Sequence, residues 1–438
     1  MSPTPIDAGN TAWMLISSAL VLLMTPGLGF FYGGLAGAKN VLNTIMMSLI
    51  AISIVGVLWS VLGYSIAFAP GNAIVGGLSY LGLAGVGAAA RESTTIPHSV
   101  FMAFQMMFAI ITPALISGAI VGRMKFTTYA IFVALWSLLV YAPLAHWVWG
   151  GGWLAGLGAI DFAGGTVVHV SAGYSALVAA ILLGRRIGHR QHPHKPHNVP
   201  FVVLGAALLW FGWYGFNAGS ALAADGVAGL AFVTTTLGAL SAMAAWAILE
   251  MVRAGRPSAV GAATGAVVGL VTITPACGYV SPMAAIVIGA VGAVASFVAI
   301  QLMGKTRIDD TLDVFACHGI GGTVGSILTG VFASKALNAA GADGLLHGDA
   351  SLLWKQLVAV GASVVLGMGM TAVILLALKV TIGLRAEGDD EVSGLDVSLH
   401  GESAYEGAGS FGERVGSGHG SAGHAVSPLA LHSEKLVG

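Results

Sequence analysis

Two segments of the chain repeat one pattern of residue types that could bind or transfer protons. Residues 161–173 and 310–322 both read Asp, seven residues, His, three residues, Gly. A neutral imidazole donates one hydrogen bond and accepts another, while a carboxylate can cap a helix or relay protons. The pattern therefore predicts one site assembled from two related copies. Its members are Asp161, His169 and Gly173 in the first copy, and Asp310, His318 and Gly322 in the second.

The composition shows what surrounds these polar residues. The chain has 438 residues, of which 56% are hydrophobic and 8% charged. A soluble domain carries about 25% charged residues, so a soluble enzyme, a nucleic-acid binder and a disordered protein are all excluded. The formal net charge of −1 suggests no polyanionic partner, and Cys277 and Cys317 are too few for a disulfide framework. These numbers indicate a multi-spanning membrane protein.

Apolar runs define the elements that must hold the repeated motif. A spanning helix needs about 20 mostly apolar residues. Eleven such runs occur, at about 11–37, 41–69, 98–121, 127–149, 161–184, 200–221, 227–251, 258–276, 283–303, 310–333 and 352–381. The sequence thus predicts an all-α polytopic membrane protein with two five-helix repeats, over 11–184 and 200–333, plus an extra eleventh helix over 352–381. The segment 185–199 connects the two repeats.

The distribution of Lys and Arg residues predicts how the chain is oriented in the membrane. Of the 18 Lys and Arg residues, only Arg91, Lys335 and Lys355 fall in segments predicted to lie outside. The remaining fifteen lie in the other loops, the end of the last span and the tail, which places residues 1–10 outside and the C-terminus in the cytoplasm. Residues 386–438 are acidic and rich in Gly and Ser. We expect a cytoplasmic tail there that is partly disordered beyond Tyr405 and favours a protein partner.

The two copies of the motif lie 149 residues and five spans apart, so the second runs through the membrane in the opposite direction. This is typical of an inverted repeat with its site near the midplane. We expect each His about eight residues into its helix, or about 12 Å from the helix start, so that the two imidazoles could touch. Two buried neutral imidazoles can satisfy each other's hydrogen-bonding groups, because one ring donates an N–H and the other accepts it. For a single His, a separately satisfied packing role would be the better interpretation.

Both aspartates precede the first turn of their predicted helices. N-capping by the carboxylates of Asp161 and Asp310 is therefore the expected role, and proton relay through Asp161 is the alternative. Asp309 and Asp313 are weaker candidates because solvent can reach them at the cytoplasmic entrance.

From about Trp13 to Tyr405 the chain resembles the ammonium transporter family (Amt/Mep/Rh), and within it the microbial Amt branch. The matching segments include VLLMTPGLGFFYGG at 21–34, KNVLNT at 39–44, FQMMFAIITPALISGA at 104–119, WGGGWLA at 149–155, FGWYGFNAGS at 211–220 and GLD…HGESAY at 394–405. The two motif segments match as well, as DFAGGTVVHVSAG and DDTLDVFACHGIGG.

The resemblance implies roles for individual residues. An outer cation site would comprise Phe104, Phe108, Trp149 and Ser220, with Phe108 and Phe216 as a stacked gate and His169 and His318 lining an apolar pore. Ammonium would bind outside and lose a proton, and ammonia would cross with or without separate proton transfer. The resemblance further implies a plasma-membrane homotrimer that takes ammonium or methylammonium, uses no cofactor and is not an enzyme. A PII-type regulatory protein could meet its cytoplasmic face.

Three alternatives remain open at this point. The protein could be an ammonium sensor with little flux, or a Rh-type gas channel, although the aromatic mouth argues against the latter. A membrane redox protein with haem or copper on the facing histidines is disfavoured, because no further His or Met pair repeats at matching depth. In the loop 185–199, His189, His192, His194 and His197 could bind metal, but a solvated connector is the better interpretation because Pro193 and Pro196 fix no ligand geometry.

Overall fold

The computed structural model describes residues 5–189 and 195–405, which are helical apart from loops and isolated β-bridges. Ten apolar helices in this part of the chain are long enough to cross a membrane, and an eleventh has 15 residues. In chain order they are α1 (Ala8–Leu35), α2 (Ala38–Phe68), α3 (His98–Ala119), α4 (Phe126–Leu157, broken at 150–152), α5 (Gly165–Leu183), α6 (Val199–Ala221), α7 (Gly226–Ala254), α8 (Ala259–Ile273), α9 (Pro282–Met303), α10 (Phe315–Phe332) and α11 (Ser351–Thr381). The predicted all-α polytopic class is confirmed.

Several helices begin where a short polar side chain binds the free N–H groups of the first turn. Asp7 accepts from Asn10 before α1, and Asn198 accepts from Phe201 before α6. Asp225, Ser258 and Ser281 do the same before α7, α8 and α9. Such caps satisfy donors that would otherwise be unpaired at the helix end. The boundaries between apolar runs are therefore encoded locally.

The helix ends and the loops between them lie on two opposite faces of the molecule. Asp7 N–H donates to the Thr95 carbonyl just before α3, and Asn10 Oδ1 accepts from Ala224 N–H just before α7. We call this the N-face. Residues 385–405 pack against the start of α2, and we call that side the C-face.

α5 and α10 begin later than the sequence predicts. We expected helices from 161 and 310, but the helical segments start at Gly165 and Phe315. Before α5 the chain wraps around the Asp161 carboxylate, and Gly164 adopts φ of +116°, which only glycine tolerates readily. His169 therefore lies about one turn from its helix start rather than two, and the helix itself begins inside the protein.

Five π-helical segments interrupt the described spans, and three of them carry residues that the sequence singled out. They are Trp59–Gly63, Ser137–Tyr141, Gly165–Val170, Tyr214–Ala218 and Phe315–Ile320. The third contains His169, the fourth Phe216 and the last His318. π-Segments are rare and concentrate at functional sites, because they re-aim side chains within a helix.

Glycines let the two halves approach closely. A Cβ on Gly205 of α6 would lie 2.2 Å from the backbone nitrogen of Phe31 in α1, and one on Gly173 of α5 would lie 2.0 Å from that of Gly319 in α10. At its equivalent position in the repeat, Gly322 would meet Val170 N at 3.0 Å. The repeated glycine of the motif thus brings the backbones of α5 and α10 into direct contact.

A buried cation joins the C-face loops. Arg123 is fully buried and donates to the carbonyls of Gly184, Ala119 and Asp309 and to Thr311 Oγ1. Burial lowers the pKa of Arg123 to about 10, although the charge of Asp309 opposes this change. The guanidinium therefore remains charged at neutral pH and fixes these loops together.

The Asp309 carboxylate lies in the same network. Arg186 donates to both of its oxygens, and His189 Nδ1 lies 3.4 Å from Oδ2. Burial alone would raise the pKa of Asp309, but the hydrogen bonds from Arg186 and the charge of Arg123 outweigh it and lower the pKa. Asp309 is thus a buried structural anion. The expectation from the sequence that solvent reaches this carboxylate is wrong.

The tail is folded as far as the described chain extends. Two short helices, α12 (Gly388–Ser393) and α13 (Leu395–His400), lie against the C-face. The Asp396 carboxylate accepts from the N–H groups of Leu42 and Asn43 at 3.0 and 2.8 Å, and so caps α2 from a distance in sequence. Lys39 Nζ donates to the carbonyls of Glu391 and Val392. The disorder expected beyond Tyr405 lies outside the described residues.

The loop between the halves is described at 185–189 and 195–199, while His192 and His194 lie outside the described residues. His197 Nδ1 and Nε2 lie 2.9 Å from the Ala36 carbonyl and from Tyr405 Oη. The described histidines of this loop, His189 and His197, therefore bind the body of the protein and the tail, which is more structure than a solvated connector implies.

Replacing Gly173 by Ala tests the crossing of α5 and α10. The added methyl would collide with Gly319 backbone, so we expect a loss of about 1–3 kcal/mol in stability, seen as a lower midpoint of thermal unfolding in detergent. Gly369→Ala in α11 is the matched control, because nothing lies within 4 Å of its Cβ position. An unchanged midpoint for Gly173→Ala would contradict the close crossing.

Replacing Asp396 by Ala removes the cap that holds the tail on α2. We expect residues 387–405 to open more often, so that a glutamyl endopeptidase cleaves faster after the buried Glu391. Asp389→Ala is the control, because Asp389 is exposed on the same short helix. Equal cleavage rates for the two variants would show that Asp396 does not anchor the tail.

Candidate functional site

A cavity of about 290 Å³ opens at the N-face above the midplane residues. Aromatic and polar side chains from α3, α4 and α6 line it, including Phe108, Trp149 and Ser220. Three residues that the resemblance assigned to a cation site thus surround one space.

The N-face residues are held by specific contacts. Trp149 Nε1 donates to the Asp161 carbonyl at 2.8 Å, which fixes the indole at the end of α4. Ser220 Oγ donates to the Phe216 carbonyl at 2.8 Å, so its lone pairs remain able to accept from a ligand. Phe104 is fully buried and packs edge-on against Phe108 at 4.9 Å, and so supports the cavity wall from behind.

A pair of phenylalanine rings closes the floor of this cavity. The centroids of Phe108 and Phe216 lie 4.3 Å apart with 35° between their planes, and both side chains are almost fully buried. Phe108 borders the N-face cavity, whereas Phe216 borders the next space below. The two rings therefore lie between the N-face cavity and this second space.

Below the rings lies a narrow apolar cavity of about 10 Å³. Aliphatic, methionine and aromatic side chains form most of its wall, and His169 and His318 also line it. The polar groups of the lining residues Tyr32 and Trp213 donate to the Leu115 carbonyl and to Thr274 Oγ1. The two Nδ1 atoms lie 3.3 Å apart, with ring centroids at 5.3 Å and 27° between the planes. The predicted contact between the two imidazoles is therefore present in the structure.

Neighbouring rings fix His169. It stacks on Trp213 at 5.5 Å and on Phe216 at 5.9 Å, with interplanar angles of 25° and 18°. His169 Nε2 is buried without a hydrogen-bond partner among the described protein atoms. Because Nδ1 faces the other histidine, Nε2 is the atom that a small hydrogen-bonding molecule could contact.

The two aspartates of the repeat are not equivalent. The Asp161 carboxylate accepts from the N–H groups of Gly164, Gly165 and Thr166 and from Thr166 Oγ1. The Asp310 carboxylate accepts from Phe315 N–H through Oδ2, whereas Oδ1 is buried without a hydrogen-bond partner among the residues that the structure describes. This geometry favours the capping interpretation for Asp161, since its lone pairs are engaged by the start of α5.

A second cavity of about 290 Å³ opens toward the C-face. His318, Cys317 and Asp313 border it, together with Glu250 and Ser258 near the ends of α7 and α8. His318 also borders the narrow cavity, as do Phe31, Tyr32 and Val267, so these four side chains lie between the two spaces. Asp313 has φ of +57° and takes the place in the repeat that Gly164 occupies before α5.

Several residues that line the N-face cavity or pack on the histidine pair were not predicted from the sequence. The cavity also includes Phe68, Arg91, Phe101, Gln105, Val148, Phe162 and Leu222, and Trp213 supports the histidine pair. Helical spacing puts Phe101, Gln105 and Phe108 on one face of α3, but it also puts Phe104 beside Phe108. Spacing alone could not decide which of these faces the cavity.

These cavities and rings form a series through the molecule. Aromatic faces and a hydroxyl can hold a small cation, two rings restrict passage, and an apolar space with paired imidazoles suits a neutral molecule with N–H groups. A permanent ion would lose its hydration there without replacement.

Comparisons with known proteins agree with this arrangement. The model described as Ammonium Transporter Family matches residues 12–405. An ammonium transporter of Bacillus subtilis is 51% identical over 92% of this chain and 99% of its own length. The crystal structure of Saccharomyces cerevisiae Mep2 has a TM-score of 0.82 at 35% identity, covering 88% of this chain and 91% of that one.

A solved structure named "Sensor Amt Protein" is also similar, with a TM-score of 0.82 and 30% identity over 90% of this chain and 98% of that one. The family match covers nearly the whole membrane region, and the relatives are transporters, not enzymes. This chain is a multi-pass membrane protein that belongs to the ammonium transporter family.

Proposed function

We propose that the protein recruits ammonium in the N-face cavity, removes a proton near the Phe108 and Phe216 rings, and conducts ammonia past His169 and His318. The observation that carries this proposal is the 3.3 Å contact of the two imidazoles in a narrow apolar space between two larger cavities. Such a space favours a neutral hydrogen-bonding molecule over an ion.

Recruitment uses the walls of the N-face cavity. A cation over the faces of Trp149 and Phe108 gains about 0.5–2 kcal/mol per ring. Ser220 Oγ accepts a hydrogen bond from one N–H group of the ammonium ion. A charge at the centre of a bilayer costs about 3 kcal/mol or more even on the most lenient scale. The site can therefore collect ammonium, but the ion does not pass through the apolar cavity intact.

Deprotonation follows from this imbalance. Ammonium becomes ammonia by releasing one proton, and the neutral product fits the space lined by aliphatic and aromatic side chains. Ammonia can accept from one imidazole N–H and donate to an imidazole nitrogen lone pair, so it stays hydrogen-bonded while it passes. Potassium has no proton to lose and would have to leave its hydration shell with nothing to replace it, so it is excluded.

The released proton has two routes with different electrical outcomes. If it returns to the N-face solution, transport carries no net charge. If it crosses along His169 and His318, each ammonia that passes is accompanied by one positive charge and the flux responds to voltage. A recorded current separates the two routes.

The assembly and orientation are further parts of this proposal. We propose that the N-face lies outside the cell membrane and the C-face in the cytoplasm, because few Lys and Arg residues lie in N-face segments. We also propose a homotrimer, and a PII-type regulatory protein as partner at the C-face. The family resemblance supports both proposals.

A second candidate is an ammonium sensor with little flux. It is favoured by the similarity to the sensor Amt structure and by the docking of the tail on the start of α2, where Asp396 accepts hydrogen bonds from Leu42 and Asn43. In that case ammonium bound at the N-face would alter the tail, and labelled methylammonium would bind without being accumulated.

The histidine pair provides the central test of conduction. In proteoliposomes, ammonium addition to wild-type protein should give uptake of labelled methylammonium, and a current if the proton crosses. His169→Ala and His318→Ala should each abolish that current or admit potassium, because water and ions then replace the paired rings. His347→Ala is the control, since His347 lies in an N-face loop away from the cavities. If both pore variants gave the wild-type uptake and current and still excluded potassium, the proposal would be overturned.

Trp149 tests recruitment separately from conduction. Trp149→Leu removes one aromatic face, so we expect the KM for methylammonium to rise about three- to thirtyfold, from about 0.5–2 kcal/mol of lost interaction. The maximal rate should change less, because the pore is intact. Trp147→Leu is the matched control, because Trp147 donates to the Ile74 carbonyl and does not line the N-face cavity. Equal KM values for the two variants would remove Trp149 from the site.

A further inference from the structure

A fixed cation lines the cavity where ammonium is proposed to bind. Arg91 comes from the segment between α2 and α3 and shares the N-face cavity with Phe108, Trp149 and Ser220. Its backbone N–H donates to the Ile96 carbonyl, which folds this segment back toward α3. The side chain is half-buried, and so belongs to the wall of the cavity.

Aromatic rings hold the guanidinium in place. Its central carbon lies 3.9 Å from the centroid of Phe101 and 5.6 Å from that of Phe68. A planar guanidinium over an aromatic face is attracted by the negative face of the ring, and the attraction is stronger where water is excluded. The charge is therefore held at the cavity wall and does not extend freely into solution.

No carboxylate neutralises this charge within the described part of the chain. Arg91 forms none of the ion pairs found among residues 5–189 and 195–405. The neighbouring Glu92 is exposed, and the Asp161 carboxylate is occupied by N–H groups at the start of α5. The cavity thus combines a cation-attracting aromatic wall with an unpaired positive charge.

We propose that Arg91 is an affinity-setting residue, whose charge repels ammonium and keeps recruitment weak. The inference rests on the proposed function, since it concerns the same cavity. A conducting site must bind its ion strongly enough to collect it and weakly enough to release it onward. The aromatic faces and Ser220 attract ammonium, and the charge of Arg91 lowers the affinity of the cavity for it.

A purely structural role makes a different prediction. If Arg91 served only to pin its loop through Phe101, any replacement that lost the stacking would impair folding or maximal rate irrespective of charge. The repulsion proposed here depends on the sign of the charge at position 91. A charge series distinguishes the two.

The test measures the KM for methylammonium uptake in proteoliposomes carrying Arg91→Lys, Arg91→Gln and Arg91→Glu. The Lys variant should stay near wild type, the Gln variant should show a KM about two- to fivefold lower, and the Glu variant should be lower again, as expected for charges several ångströms apart in a water-accessible cavity. The differences should narrow as ionic strength rises, because salt screens exposed charges. Lys335→Gln, which removes an exposed N-face charge outside the cavity wall, should leave the KM unchanged.

A second readout does not need flux. Calorimetric titration of the purified variants with methylammonium gives a dissociation constant, which should follow the same order of charge. If transport proceeds but both constants are independent of the charge at position 91, this inference fails alone. If binding follows the charge while the wild-type protein shows no uptake, the inference stands and conduction fails. Loss of maximal rate in Lys, Gln and Glu variants alike, with no ordering of affinity, would assign Arg91 a structural role only.

Discussion

The contact between His169 and His318 is the interaction on which the rest of the structure depends. Two imidazoles can meet at mid-depth only if the backbones that carry them almost touch, and side chains larger than hydrogen at Gly173 and Gly322 would prevent this. The break of α5 and α10 into π-segments then turns the rings toward each other. Close packing, helix irregularity and the polar pair are therefore parts of a single arrangement.

The arrangement separates tasks along the molecule. In the proposed function, a cation is attracted at the N-face, where aromatic faces and a hydroxyl line an open cavity. The apolar space beyond Phe108 and Phe216 offers no replacement for hydration, so charge has to be left behind. Arg91 fits this division, because a weakly held ion is more easily passed to the rings than a tightly held one.

The C-face is organised by buried charge. Arg123 joins loops from both halves by hydrogen bonds to carbonyls, Asp309 is held by Arg186, and Asp396 of the tail binds the first N–H groups of α2. Each of these groups links segments that are far apart in sequence. The tail is thereby attached to the start of α2.

The sequence by itself determined the class of fold, most helix boundaries and the pairing of the two histidines. Apolar length, cap residues such as Ser258 and the equal spacing of Asp, His and Gly are local properties that survive without knowledge of contacts. Only the tertiary structure decided that Phe104 lies behind the cavity wall, that α5 starts at Gly165 and that Arg91 lines the N-face cavity. These outcomes depend on which elements approach one another across the membrane, and spacing along a single helix carries no information about that approach.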